Sequence, residues 1–278
     1  MIHLIDTHCH LTGERFAGDR DTLIPALPEH GIWRALSIGT GLDDAREVAA
    51  LVARFPDRLA GAAGLDPHTC HDAGENFSDQ LAGLDALLTN GGFVALGEIG
   101  IEYHHRLNAP LVQIAQFEAQ LDLAHRHRLP VVIHVREGVA GDGRDAHADT
   151  LALLARHPDN RGVIHSFAGT AQHARAYLDL GWHLSYNGML TYKTNDFLRE
   201  AARITPADRL LLETDAPYLP PIPHRGRRCD PSMMTITCAL MAELRGERDD
   251  DIRAWTTRNA CKLFRLDLPP EWAASKHP

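Results

Sequence analysis

The chain has 278 residues, 44% of them hydrophobic, and a formal charge of −9. That length suits one closed α/β barrel, and the apolar share is enough for a sizeable core. The charge argues against a protein that coats nucleic acid through a broad basic surface, and no apolar run approaches the ~20 residues of a membrane span.

Short apolar runs alternate with amphipathic stretches along the whole chain. The runs at 3–8, 35–39, 59–65, 94–99, 130–135, 163–166, 182–186 and 210–215 read as strands. Val131-Val132-Ile133 and Leu210-Leu211-Leu212 are apolar on consecutive residues. That is the pattern of parallel strands buried on both faces. Helical spacing predicts helices over 42–55, 110–127, 149–157, 171–180, 195–204, 232–245 and 249–264. Eight strands with intervening helices and no linker favour a (β/α)8 TIM-type barrel. An open doubly wound sheet stays the alternative, because one sequence does not reveal strand order. A single domain over 1–278 is expected, its last ~10 residues a tail.

The start of the chain lacks a signal peptide's basic stretch and apolar core, so a cytoplasmic protein is expected. The cysteines at 9, 70, 229, 238 and 261 form no CxxC pair, which suggests neither a disulfide framework nor a zinc ribbon.

Candidate chemistry sits where the apolar runs stop. In Asp6-Thr7-His8-Cys9-His10, His8 and His10 share one strand face. Glu98 ends the fourth run, His134 the fifth, His165 the sixth and Asp215 the eighth. In a barrel these ends meet at one mouth. One buried polar strand end is usually a hydrogen-bonded structural group, but six at equivalent ends point to a shared cation. Four imidazoles and two carboxylates exceed what one four-coordinate zinc needs, whereas two bridged divalent ions use them all. Glu98 is the expected bridge, and zinc, manganese or magnesium suits the mixed donors. Some barrel hydrolases bridge their metals with a carbamylated lysine, but of the only lysines, Lys193, Lys262 and Lys276, just Lys193 is a candidate to end a strand, beyond the seventh, and Glu98 already occupies the fourth-strand position.

These motifs resemble the TatD family of metal-dependent deoxyribonucleases, within the amidohydrolase-like barrels. The likeness runs from Asp6-Thr7-His8-Cys9-His10-Leu11 to Thr256-Thr257-Arg258-Asn259-Ala260. It includes Gly97-Glu98-Ile99-Gly100, Gly162-Val163-Ile164-His165-Ser166-Phe167, Leu211-Leu212-Glu213-Thr214-Asp215-Ala216-Pro217 and Pro223-His224-Arg225-Gly226. The resemblance implies His8, His10, Glu98, His134, His165 and Asp215 as metal ligands. There are departures. The family's Gly-x-His-Pro-His reads Gly64-Leu65-Asp66-Pro67-His68, and its Gly-Leu-Asp-Tyr reads Gly100-Ile101-Glu102-Tyr103. Its Arg-Asn-Glu-Pro reads Arg228-Cys229-Asp230-Pro231.

The expected reaction is hydrolysis of a phosphodiester bond in DNA by a metal-activated water, with Asp215 orienting that water and accepting its proton and Glu98 joining the two cations. Arg136, His224 and Arg225 are candidates to hold phosphate oxygens; for Arg136 a bracing salt bridge is the competing role. Tyr103 and Tyr218 are candidates to stack on bases, with packing as the competing role, and His68 is a candidate at the mouth. The rival enzyme reading keeps the site but cleaves a small-molecule ester, lactone or amide. A non-catalytic binding module would be expected to lack ligands, and none of the six is missing. No membrane association and no obligatory protein partner are expected.

Overall fold

A computed structural model describes residues 3–269 and Trp272. Among the described residues, eight parallel strands pair in sequence order: β1 (Leu4–Cys9), β2 (Ile32–Gly39), β3 (Leu59–Ala63), β4 (Phe93–Glu102), β5 (Val131–Arg136), β6 (Gly162–Ile164), β7 (His183–Tyr186) and β8 (Leu210–Leu212). The segment after β8 closes the ring onto β1. Cys9 bridges Ala216 in parallel, the Asp215 N–H donates to the His8 carbonyl at 2.9 Å, and the His10 N–H donates to the Ala216 carbonyl at 2.7 Å. The molecule is a (β/α)8 barrel. Strand order decides against the open sheet, because a doubly wound sheet would place non-consecutive strands side by side.

Around it run α1 (Arg20–Ala26), α2 (Leu42–Arg54), α3 (Pro67–Ala73), α4 (Phe77–Thr89), α5 (Pro110–His127), α6 (Ala146–Arg156), α7 (Ala171–Asp179), α8 (Asp196–Ile204), α9 (Met234–Arg245) and α10 (Asp249–Phe264). Three of these, α1, α3 and α4, lie outside the predicted helices. Most of the expected tail falls outside the described residues. Among the described residues, no helix is long and apolar enough to cross a membrane, and all five cysteines are free and buried.

Two apolar layers result. The larger fills the space between strands and helices. The smaller takes Ile5, Leu36, Ile38, Ala60, Ala62, Ala95, Val132, Val163 and Leu211 from seven strands, with Phe264 of α10 against them. His134 and His165 follow Val132 and Val163 by two positions, so strand alternation puts them on the same face, one layer nearer the mouth. The small layer is thus the floor on which the polar groups stand.

Candidate metal centre and active site

His8 lies in β1, Glu98 in β4 and His134 in β5, while His10, His165 and Asp215 follow the ends of β1, β6 and β8. Glycine lets β4 come close to β5 on both sides of Glu98. A Cβ on Gly97 would stand 2.6 Å from the Val132 carbonyl oxygen, and one on Gly100 would overlap the His134 carbonyl. Both have positive φ, 151° and 147°, which glycine adopts freely.

The turn after β8 is pinned to β1 through Asp6. Its carboxylate accepts hydrogen bonds from the Thr214 hydroxyl at 2.6 Å, the Thr214 N–H at 3.0 Å and the His8 N–H at 3.2 Å. Asp215 then takes φ 60°, a left-handed conformation that aspartate tolerates better than most residues. Burial pushes the Asp6 carboxyl up to about 8, against the hydrogen bonds from Thr214 and His8 that pull it down.

All six side chains meet. On one side, His8 Nε2 lies 3.2 Å from His10 Nε2 and 3.4 Å from Glu98 Oε2, and Asp215 Oδ1 lies 3.5 Å from His10 Nε2. On the other, His134 Nδ1 lies 2.7 Å and His165 Nε2 3.0 Å from Glu98 Oε1, and the two nitrogens are 3.3 Å apart. Glu98 therefore gives one oxygen to each histidine pair. A first-row divalent cation with ~2.1 Å bonds in tetrahedral geometry sets its donor atoms about 3.4 Å apart. The observed spacings bracket that value, so the donors fit a cation in each triad, His8–His10–Glu98 and Glu98–His134–His165. Imidazole nitrogens tip to tip at 3.2 Å can share at most one proton between them, and a cation removes that conflict.

Outer carboxylates set which ring nitrogen faces inward. His134 turns Nε2 to Glu102 Oε2 at 3.4 Å, and His165 turns Nδ1 to Glu213 Oε1 at 3.5 Å. Such pairs fix tautomer and ring orientation at metal sites. Glu213 is in turn held by the Ser166 N–H at 2.6 Å.

Charge in the cluster is strongly coupled. Burial raises the Glu98 pKa, but His165, His134 and His8 together hold it well below the usual carboxylate range. Burial lowers His10, yet Asp215 and Glu98 bring it up to about 9. His134 reaches about 9 in the same way, through Glu102 and Glu98. His8, fully buried and beside His165, is lowered instead. The centre thus joins anionic carboxylates to crowded imidazoles, an environment that favours added positive charge.

The cluster opens into a cavity of about 820 Å³, lined also by Arg136, His68 and Tyr218. Tyr218 is 56% exposed, with its ring 6.1 Å from that of His10. Other residues fall elsewhere. Tyr103 is fully buried and donates its hydroxyl to Asp149 at 2.6 Å, so packing, not stacking, is its place. His224 and Arg225 are not among the residues lining the cavity. The Arg225 guanidinium lies over the Tyr192 ring at 4.1 Å. Asp66, which departs from the family pattern, caps α3 by accepting the Thr69 N–H at 2.8 Å and also lines the cavity. Sequence reasoning quoted Glu102 and Glu213 within motifs but gave them no role, and it missed the acidic wall of Glu14, Asp44 and Glu47. Only Glu213, polar at the end of an apolar triplet, carried a signal that could have found it.

Known proteins resemble the chain over nearly its full length. It is 33% identical over 269 residues to the uncharacterized metal-dependent hydrolase YcfH of Escherichia coli, covering 95% of this chain and 96% of that one. It is 34% identical over 270 residues to a protein of Erwinia billingiae named 3'-5' ssDNA/RNA exonuclease TatD, covering 95% and 99%. The crystal structure of YjjV, a TatD homologue from Escherichia coli, superposes with a TM-score of 0.83 at 30% identity, covering 96% of this chain and all of that one. The sequence pattern of the TatD related DNases matches residues 5–265, and the chain is a metal-dependent hydrolase belonging to that family.

Proposed function

We propose that the protein hydrolyses phosphodiester bonds in DNA, working from an end, with two divalent cations held by His8, His10, Glu98, His134, His165 and Asp215. The observation that carries this reading is the placing of Glu98, one oxygen facing His8 and His10 and the other facing His134 and His165. Zinc, manganese and magnesium all suit the donors. Bound divalent ions supply Lewis acidity, drawing charge from phosphoryl oxygens and making a water acidic enough to lose a proton near neutral pH.

The chain's own groups do the rest. Asp215 is held below the ordinary carboxylate range, the His10 hydrogen bond and the His8 and His165 charges outweighing burial, so its carboxylate is free to take the proton of the attacking water. Arg136, half exposed at the lip with Nε 3.8 Å from Glu102 Oε2, is placed to hold a phosphate oxygen. Tyr218 offers an exposed ring to a terminal base. The relative named as a 3'-5' ssDNA/RNA exonuclease supports a single-stranded substrate.

The test is release of mononucleotides from end-labelled single-stranded DNA in manganese or magnesium. Chelation abolishes it, and His134→Ala and Asp215→Ala each lower it by at least ~100-fold while the fold persists. Full activity in either variant, with metal supplied, excludes this mechanism.

One observation favours the second reading, a small-molecule ester, lactone or amide. Glu14, Asp44, Glu47 and Asp66 make the cavity wall acidic, which disfavours a long polyanion. Turnover of an uncharged ester with no release of nucleotides would select it.

A further inference from the structure

We propose that His68, Glu102 and His105 form a third cation site at the lip of the cavity, beside the two-cation centre and separate from it. Two adjacent loops build it: His68 stands at the start of α3 after β3, Glu102 ends β4, and His105 lies in the turn that follows. One donor atom from each lies within 4.8 Å of the others. His105 Nδ1 is 3.4 Å from Glu102 Oε2, the spacing of two donors on one cation with ~2.1 Å bonds. The His68 and His105 rings approach to 5.2 Å between centroids.

Glu102 supplies the charge. Its side chain is 1% exposed, and a carboxyl so buried is normally pushed toward the neutral form. Here His134 Nε2 at 3.4 Å, the His105 N–H at 3.2 Å and Arg136 Nε at 3.8 Å converge on its oxygens and compensate the burial. His68 and His105 are exposed and reach Glu102 from the solvent side, so two imidazoles and one anion leave the remaining positions open to water or substrate. Glu102 Oε2 also faces His134 Nε2 at 3.4 Å, which puts this cation one carboxylate away from the main centre. Positive charge there would offset the acidic wall where an anionic substrate enters. The competing role for Glu102 is to brace His134 and Arg136 alone, and that role binds no ion. The proposal holds whichever bond the enzyme cleaves.

The experiment counts metal and does not read activity, so it fails or succeeds independently of the nuclease reading. The full-length chain is stripped by chelator, equilibrated with a slight excess of zinc, passed through a desalting column and measured by atomic emission. Wild type is expected to carry three equivalents and His68→Ala and His105→Ala two each, with unfolding midpoints unchanged. His30→Ala, which removes an exposed imidazole ahead of β2, is expected to keep three. Equal zinc content in wild type and the His68→Ala/His105→Ala double variant would overturn the proposal, whatever the count at the main centre.

Discussion

Thr214 shows how much the centre depends on a residue that touches no cation. Its hydroxyl donates to Asp6 and accepts from the Ala216 N–H at 3.2 Å, and both side chains are buried. Thr214→Val keeps the shape and removes the hydroxyl, leaving an oxygen of Asp6 and the Ala216 N–H unpaired. Such orphaned groups cost about 1–3 kcal/mol in unfolding free energy, and Thr214→Ser should recover most of that. Denaturant titrations of the two variants decide it: equal midpoints for Val and Ser mean that the hydroxyl is not what holds β8 to β1. At this scale the six converging residues were legible because each is a polar side chain ending an apolar run. Glu102 was not, since it sits in Ile101-Glu102-Tyr103 beyond the polar end already assigned to Glu98. Tyr103 read equally well as rim or core, because an aromatic residue just past a strand fits both; only the position of Asp149, a hydrogen-bond partner from α6, fixes it inside.

Elements were legible where hydrophobic period and length agreed. α5 and α10 meet both conditions, whereas α1 and α3 have seven residues each, too short for a helical period to show. α3 is instead specified by its start, Asp66 as cap and Pro67 at the first turn, a signal of two residues. β4 was read as ending near Glu98 but runs on to Glu102, because Gly97 and Gly100 let it follow β5 further. Packing between elements also creates acid sensitivity. His147 of α6 is buried, its Nδ1 3.0 Å from the Tyr177 hydroxyl of α7 and its ring 4.3 Å from that of His173. Burial, then the charge of His173, lowers its pKa from 6.5 to about 3. Between those values the unfolded chain binds a proton that the folded chain refuses, so folding stability falls as pH drops through that window. His147→Gln removes this contribution. Its unfolding free energy should decline less steeply than that of wild type between about pH 7 and pH 4.5, by up to ~1.4 kcal/mol per pH unit. Parallel declines would show that His147 is protonated in the folded state.

Across the whole molecule, charge and function pull in opposite directions. A net charge of −9 surrounds a cavity whose wall carries Glu14, Asp44, Glu47 and Asp66, with Arg136 the one arginine or lysine among the residues lining it. A barrel places its site at one mouth and leaves the outer surface to solubility, so an acidic chain can still engage a phosphate through bound cations and a single guanidinium. The sequence made the charge plain but not its distribution, because the acidic wall comes from separate segments around residues 14, 44–47 and 66. Salt dependence measures this arrangement directly. Each phosphate neutralised on single-stranded DNA contributes a slope of about 0.7 in log affinity against log salt. One contact through Arg136 predicts a loss of about fourfold in kcat/KM between roughly 20 and 150 mM monovalent salt, whereas four contacts predict ~300-fold. With divalent metal held constant, wild type should lose about fourfold or less, and screening of the acidic wall should reduce the loss further. Arg136→Gln should flatten what slope remains. A loss of a hundredfold or more would mean that a basic track outside the cavity carries the strand.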